Sequence, residues 1–542
     1  MTLYNAHDIH PAARAYAQEV ADSTMDRREF LTRATALGVT AAGAYALIGA
    51  TPARADGHIA PGGTLRIQQD VRALKDPPTY DWPQMANVSR GWLEYLVQYN
   101  ADGVFEPRLL TSWEVNEDAT QYVLNLRQGV QWNDGTPFTS ADVAYNFTRW
   151  CDASMEGNSM ASRMASLMEG DAAREGAIEV VDDHTVRLNL SRPDITILPT
   201  MSDYAAAIVQ NGFSGNPSDN TVGTGPYRLV SIEVGVSAVV ERNTDHTWWG
   251  EGTGAFLDRI EYIDLGQDQA AHIAAAEAGE IDMLYETLGD FIDIMDAIGW
   301  AKSEAISANS LVLRTNQLNP PYDDVRVRRA LALATDNRVL MELGVNGLGT
   351  VAENHHVCPI HPEYADIGPA VQDVAAAQAL MEEAGASDFE HELISIDDSW
   401  RRPTTDALAA QLRDAGFSVT RTVIPGSTFW NDWANYPFSS TDWGHRPLGV
   451  QNLQLAYTSG AAWNETAFAN EEFDSLLADA SAIADATQRS EVMAQIQQIM
   501  IDEGVVIQPF WRSIYRHATD NVVGAETHPI FEIHVHKLGF AA

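Results

Sequence analysis

Residues 132–143 read Trp132-Asn133-Asp134-Gly135-Thr136-Pro137-Phe138-Thr139-Ser140-Ala141-Asp142-Val143. The Asp-Gly pair marks a tight turn, because glycine enters left-handed backbone conformations without a steric penalty. A strand is expected from Gly129 to Phe138, ending in that turn. Thr139 or Ser140 then caps a helix, and Val143, Phe147 and Trp150 recur at helical spacing along it. Just upstream, Gln121 to Arg127 alternates Tyr122, Leu124 and Leu126 on one face, as a half-buried strand does. Strand, turn and capped helix in quick succession point to an α/β chain.

The same rhythm continues outward. Thr64-Leu65-Arg66-Ile67 reads as a strand, Asp76-Pro77-Pro78 as a turn, and the apolar run Trp92 to Val97 as helical. Further on, a helix from Asp373 to Gly385 precedes a strand from His391 to Ile396. A helix from Thr405 to Gly416 then precedes a strand from Val419 to Ile424. Two amphipathic helices follow, Asn470 to Ala486 and Thr487 to Glu503, the second closed by Gly504. Alternation of this kind predicts a sheet covered by helices. At 542 residues the chain exceeds what one core supports, so two or three packed domains are expected.

Composition narrows the function classes. The formal net charge is −41, and no basic patch offsets it, so nucleic acid and anionic membrane are poor partners. Near the N-terminus, Asp26-Arg27-Arg28-Glu29-Phe30-Leu31 precedes a weakly apolar run, Ala34 to Ala50, and Ala53-Arg54-Ala55 offers small residues for cleavage. This pattern reads as a twin-arginine export signal over residues 1–55, removed on passage to the periplasm. A buried Ala-rich helix is the competing reading, and the Arg-Arg entry and Pro52 exit argue against it. Residues 1–55 carry five basic and five acidic side chains, so the remainder keeps the full net charge. In an oxidising compartment Cys151 and Cys358 could form a disulfide or remain two buried thiols; their spacing decides nothing.

Several ordered motifs carry a resemblance. They are Pro107-x-Leu109-x-x-Ser112-Trp113, Asn125-x-Arg127-x-Gly129-Val130, and Trp132-x-Asp134-Gly135-x-Pro137-Phe138-x-x-x-Asp142-Val143. Gly223-Thr224-Gly225-Pro226-Tyr227, Asn243 with Trp248-Trp249-Gly250, and Ala278-Gly279-Glu280-Ile281-Asp282 follow in order. Asn316-x-x-x-Pro320-Pro321-Tyr322-x-Asp324-x-Arg326-Val327-Arg328-Arg329-Ala330-Leu331 completes the series, with Asp323 or Asp324 as the cap of a helix burying Ala330, Leu331 and Ala334. Together they resemble the family 5 extracellular solute-binding proteins of ABC importers, the peptide-, opine- and nickel-type periplasmic binding proteins. The resemblance implies a two-lobed clamshell fold with an extra subdomain in the first lobe. It places the first lobe at 56–310 with the subdomain near 96–207, the second lobe at 311–504, and a return to the first lobe at 505–542. It further implies a monomer without cofactor, which captures a small solute by lobe closure and delivers it to ABC permease subunits at the inner membrane.

Chemistry-bearing motifs are few. There is no Gly-x-Ser-x-Gly elbow, no His-Glu-x-x-His and no phosphate loop ending in Gly-Lys-Ser/Thr, so no enzyme is expected. Gly347 to Ala352 fits a loose dinucleotide pattern but follows a helix, and reads as a turn. His355-His356-Val357-Cys358-Pro359-Ile360-His361 could bind a soft or borderline metal, which makes metal or metal-chelate uptake the alternative function. Adjacent histidines beside a proline do not converge, however, and read as solvated loop residues. His534 and His536 read as alternating surface residues of a strand.

The stretch from Phe429 to Trp463 holds four of the fourteen tryptophans, and Asp442-Trp443-Gly444-His445-Arg446-Pro447 lies at its centre. In peptide-binding members of the family, the Trp matching Trp443 is followed three residues later by an aspartate that holds the ligand's α-amino group. Here Arg446 stands in that place and inverts the charge. Asp442 could supply an acid, but in an extended segment its side chain points to the opposite face. Arg401-Arg402-Pro403 resembles the Arg-Pro that grips a ligand carboxylate in dipeptide binders. The expected ligand-facing set is therefore Trp443, Arg446, Asp442, His445, Arg402, Arg401, Trp400, Trp463, Trp430 and Trp511. Arg446 could equally form a structural ion pair with an acid of the first lobe. A peptide or amino-acid-derived solute, possible anionic character included, is the expected cargo; opine-like conjugates and Trp-stacked oligosaccharides stay open.

Overall fold

An eleven-stranded mixed sheet runs through both halves of the protein. In order its strands are Tyr227–Glu233, Ser237–Arg242, Arg259–Ile263, Thr64–Gln68, Met283–Leu284, Phe510–Ala518, Ala301–Thr315, Phe438–Trp443, Glu390–Ile396 and Ser418–Ile424, with Gly349–Val351 paired to Phe510–Ala518. The computed structural model describes residues 11–50, 59–116, 119–397, 400–483 and 485–542.

Strand Ala301–Thr315 is the spine of this sheet. Its first part pairs antiparallel with Phe510–Ala518, and its last part pairs antiparallel with Phe438–Trp443. The handover falls on Ser310, which faces Trp511 on one side and Trp443 on the other. A register shift between Ile306 and Asn309 marks the approach to this point, as a bulge does where a strand changes direction.

The cores divide on either side of the handover. One gathers buried side chains from Leu65 to Met283 together with Ala518 to Leu538. Two others form around Leu311, Leu331, Leu393 and Leu408, and around Trp443, Leu453, Phe473 and Met493. Within the first part, a four-stranded sheet (Leu110–Val115, Gln121–Leu126, Thr185–Asn189, Ile178–Asp182) is packed by helix Ser140–Trp150. Thr139 caps that helix in a reciprocal capping box with Asp142, as the sequence suggests. Asp324 caps Val325–Leu333, and Asp373 caps Val374–Glu383.

Several local expectations are corrected. Residues 129–138 form a loop closed by one bridge between Gln131 and Pro137, not a strand. The Asp134 carboxylate accepts the Thr136 N–H and hydroxyl, and those bonds hold the turn without a ladder. Trp92 to Val97 is not helical. The helix lies earlier, Pro83–Ser89, and the apolar run after it is buried on all sides, leaving a helical face nothing to select. Helix Arg401–Asp414 starts four residues before its expected Thr405. His534 and His536 lie in a turn and are half-buried.

The N-terminal segment is folded in the full chain. Arg27 and Arg28 form the first turn of a helix, Arg27–Ala36, whose end is capped by Asp26 accepting the Glu29 N–H. The sequence argued against a buried Ala-rich helix here; yet Ala41–Leu47 is helical, and Phe30, Leu31, Ala34, Ala44 and Tyr45 share a small core with Val104. Thr32 donates to the Gly103 carbonyl, and Arg33 reaches the Pro362 carbonyl, so the segment touches both parts of the molecule. The expected cleavage residues Ala53 to Ala55 lie outside the described residues.

A buried ion pair ties the spine strand to the Trp-rich stretch. Arg314 Nε donates to Glu465 Oε2 at 2.7 Å, and its two terminal nitrogens reach the Trp433 and Tyr436 carbonyls. Both side chains are almost wholly buried. Removing one partner of such a pair leaves an uncompensated charge in a low-dielectric interior. Glu465→Gln is expected to lower the unfolding free energy by about 3–5 kcal/mol, and Arg314→Met with Glu465→Leu together to recover much of that loss. Denaturant titration of the three chains checks it.

Candidate ligand-binding cleft

Trp443 ends the strand Phe438–Trp443, and the chain then turns through Gly444 to Leu448 into helix Gly449–Ala456. The Trp443 indole donates Nε1–H to Glu465 Oε1 at 2.8 Å. Its ring meets Trp463, Trp433 and His356 edge-on, with centroids 6.0, 6.4 and 5.7 Å away. Strand alternation puts Asp442 on the other face, where it accepts Arg401 Nε at 2.7 Å.

Arg446 reaches out of the second half to the first. Its Nε lies 3.2 Å from Asp203 Oδ2, and Arg163 Nη1 lies 2.8 Å from the same oxygen. Arg163 comes from the short helix Met160–Arg163; Asp203 follows Ile197–Thr200 and is braced by the Ala205 N–H on its other oxygen. All three side chains are buried. Burial alone would raise the Asp203 carboxyl, but Arg163 and Arg446 hold it below the ordinary carboxylate range. The Arg446 guanidinium stands 5.4 Å from the Tyr204 ring centre, and that of Arg163 stands 5.9 Å from Trp463. Two buried donors of Arg163, Nε and Nη2, remain without an acceptor.

The other expected residues are placed as follows. Trp400 is flanked by two guanidiniums, Arg401 at 4.9 Å and Arg512 at 4.1 Å, and Arg512 in turn pairs with Glu286 at 2.7 Å. Trp430 is half-buried and stacks edge-on against Trp82 from the first half, 5.0 Å away. Trp511 is buried and stacks on His356 at 5.9 Å. His445 is buried with its Nδ1 accepting the Ala308 N–H at 3.1 Å, which leaves the proton on Nε2, and its ring stacks on Tyr99. Burial drives its basicity well below that of free imidazole.

Arg402 is corrected. It lies beside Arg401 on a helix, about 100° around the axis, and that rotation turns it to solvent. There it pairs with Asp397 at 2.8 Å and Asp406 at 3.5 Å, well supplied with partners outside the cleft. Arg163, Asp203, Tyr204 and Trp82 were missed by the sequence reading. No motif surrounds them; only the folded chain brings them to Arg446 and Trp430. Ser399 of the neighbouring loop lies outside the described residues.

The histidine loop also departs from expectation. His355, His356 and His361 are buried rather than solvated. Each ring is drawn to a different partner: His355 Nδ1 accepts the Val357 N–H, His356 Nδ1 faces the Tyr457 hydroxyl at 2.7 Å, and His361 Nδ1 accepts the Cys358 N–H. Among the described residues, ligand atoms converge instead at His528, Glu532 and His534. Those atoms already serve the fold, since Glu532 pairs with Arg90, His534 Nε2 lies 2.8 Å from Glu532, and His528 Nε2 faces the Tyr99 carbonyl. Cys151 and Cys358 are free thiols in separate cores, and burial pushes Cys151 up to about 12.

The buried histidines predict an acid response. Burial lowers His355 to about 4, His356 to about 3 and His361 to about 4. In the unfolded chain each takes a proton near pH 6.5, which the native state refuses until the pH reaches those depressed values. The stability they contribute is thus complete above about pH 6.5 and is lost as the pH falls toward 4. Each histidine adds at most about 1.4 kcal/mol per pH unit. Urea titrations at pH 7 and pH 5 should show the loss, and His356→Gln should flatten it.

Comparison with known proteins adds a family and a set of relatives. Residues 104–465 match bacterial extracellular solute-binding proteins, family 5 Middle. The periplasmic oligopeptide-binding protein OppA of Salmonella typhimurium is 24% identical over 505 residues, covering 86% of this chain and 90% of that one. Heme-binding protein A of Haemophilus influenzae is 25% identical, covering 73% and 77%. Among solved structures, the Escherichia coli murein tripeptide binding protein MppA superimposes with a TM-score of 0.80 at 21% identity, covering 89% and 99%. AgaA from A. tumefaciens R10 in complex with agropinic acid gives 0.78 at 22% identity, covering 89% and 99%.

Proposed function

The chain belongs to the bacterial extracellular solute-binding proteins, family 5, and on that premise we propose that it captures a peptide or amino-acid-derived solute between its two lobes for delivery to an ABC permease. The relatives are named for oligopeptide, murein tripeptide, agropinic acid and heme, and the larger part of this range is amino-acid-derived, without singling out one compound. The observation that carries the reading is the meeting of Trp443, Trp463 and Arg446 with Arg163 and Asp203, because each side of the cleft contributes part of it. The lobes are taken as 56–310 with 505–542, and 311–504, hinged where Ser310 hands the spine strand over. Trp443, Arg446, Trp463, Trp430 and Trp400 line the cleft in this reading, with Asp442 and Arg401 supporting them as an ion pair.

Binding is a population shift: a ligand that touches both lobes stabilises the closed form by its differential affinity for that form. The Arg446–Asp203 contact supplies part of that closure from the protein itself. Asp203→Ala removes it and strands two cations that repel, so the unliganded protein is expected to open. Small-angle scattering should record a larger radius of gyration for the variant, which shrinks again when a binding solute is added. An unchanged radius in both states would place Arg446 and Asp203 outside the moving interface.

Export is the second part of the proposal. Arg27-Arg28 and the weakly apolar run after them serve as a twin-arginine signal, and the receptor works as a periplasmic monomer after cleavage near Ala55. No helix among the described residues is long and apolar enough to cross a membrane. Replacing both arginines by lysine is expected to leave the full-length chain in the cytoplasm, whereas the parent chain is recovered from the periplasm with Asp56 at its N-terminus; fractionation and intact-mass measurement decide it.

A further inference from the structure

We propose that Arg163 and Arg446 form a subsite for a single carboxylate group of the captured solute, with Asp203 as the fixed counter-charge that positions both guanidiniums. The inference rests on the receptor reading and narrows it to a chemical class.

Two guanidiniums face one carboxylate at Asp203, and all three groups are buried. The nearby Arg90 and Glu532 form their own pair and cancel each other. The cluster therefore carries one positive charge too many for a region withdrawn from water, where an unpaired ion is strongly unfavourable. A solute group with one negative charge removes the excess. A dianionic phosphate would replace a surplus cation with a surplus anion.

Hydrogen bonding points the same way. Arg163 spends Nη1 on Asp203, and Arg446 spends Nη1 on the His445 carbonyl at 3.0 Å. Arg163 Nε and Nη2 are buried and have no acceptor, while Arg446 Nε faces Asp203 at 3.2 Å. Nε and Nη2 lie on one edge of a guanidinium, which is the edge that matches the two oxygens of a carboxylate in a bidentate pair. An acceptor-only group satisfies these donors; an ammonium or an amide N–H cannot. The rings of Trp463 beside Arg163 and Tyr204 beside Arg446 hold the two guanidiniums in place and offer apolar area for the rest of the solute.

The test uses the full chain and matched probes: N-acetylated and free dipeptides, each as the free acid and as the carboxamide, and a phosphate monoester of similar size. Isothermal calorimetry and thermal shift are read for each. Within any pair that binds, the free acid is expected to bind about tenfold or more tightly than the carboxamide. Arg163→Gln should bring that ratio close to one by weakening the acid alone, and Arg163→Lys should restore part of it. Equal affinities for acid and carboxamide would overturn the subsite while leaving the receptor reading in place. Tighter binding of the phosphate monoester would overturn the single-charge assignment. If no probe binds or raises the melting temperature, the carboxylate subsite is overturned, whereas the receptor reading is decided separately by native mass spectrometry of the purified protein. Should Arg163→Gln not fold, the acid-to-carboxamide ratio of the parent chain decides by itself.

Discussion

The buried Arg314–Glu465 pair is the constraint on which the cleft depends. One carboxylate accepts from Arg314, from the Thr441 hydroxyl and from the Trp443 indole, while the same arginine binds the Trp433 and Tyr436 carbonyls. The spine strand, the loop before Phe438–Trp443 and the end of that strand are thereby locked to one another. Taking two ions out of water is unfavourable, and the dense hydrogen bonding around them is what offsets the penalty. The result is a rigid wall, with Trp433 and Trp463 set edge to face against Trp443. Precise placement of Arg446 follows, since it leaves that wall only three residues after Trp443.

Beyond this wall, the rest of the interface is built from ion pairs and one aromatic pair. Arg446 meets Asp203, which is already held by Arg163 and the Ala205 N–H. Trp430 meets Trp82. Arg512, on strand Phe510–Ala518, joins Glu286 to the face of Trp400. A receptor that closes on its ligand needs contacts of this kind on both sides, strong enough to define the closed form and few enough to release it.

Much of the fold was legible because its signals are local. A cap at Thr139, Asp324 or Asp373 acts within one helical turn, and alternation along 121–127 reports a strand whatever surrounds it. The signal fails where burial is complete. Trp92 to Val97 is apolar on every side, and no period distinguishes helix from extended chain there. Residues 129–138 failed for a different reason: Asp134 satisfies the turn with its own side chain, so no partner strand is required. At the N-terminus, Arg27-Arg28 looked incompatible with a helix entrance, yet Asp26 caps that entrance. Of the candidate site, only the half that carries Trp443 and Arg446 was legible. Trp443 and Arg446 stand in a recognisable motif, whereas Arg163 and Asp203 are ordinary residues until the chain folds. Arg401 and Arg402 could not be separated without the helix that turns one inward and the other to solvent, and the histidines of 355–361 reveal their burial only through their partners.

The central claim is that this protein exists to hold one small solute between its lobes. Native mass spectrometry of the protein as purified tests it most directly. The account predicts a single bound molecule of defined small mass, lost on unfolding and restored when the released solute is added back to refolded protein. A bare polypeptide mass, joined to a melting temperature that no peptide, opine, sugar or other solute raises, would contradict it.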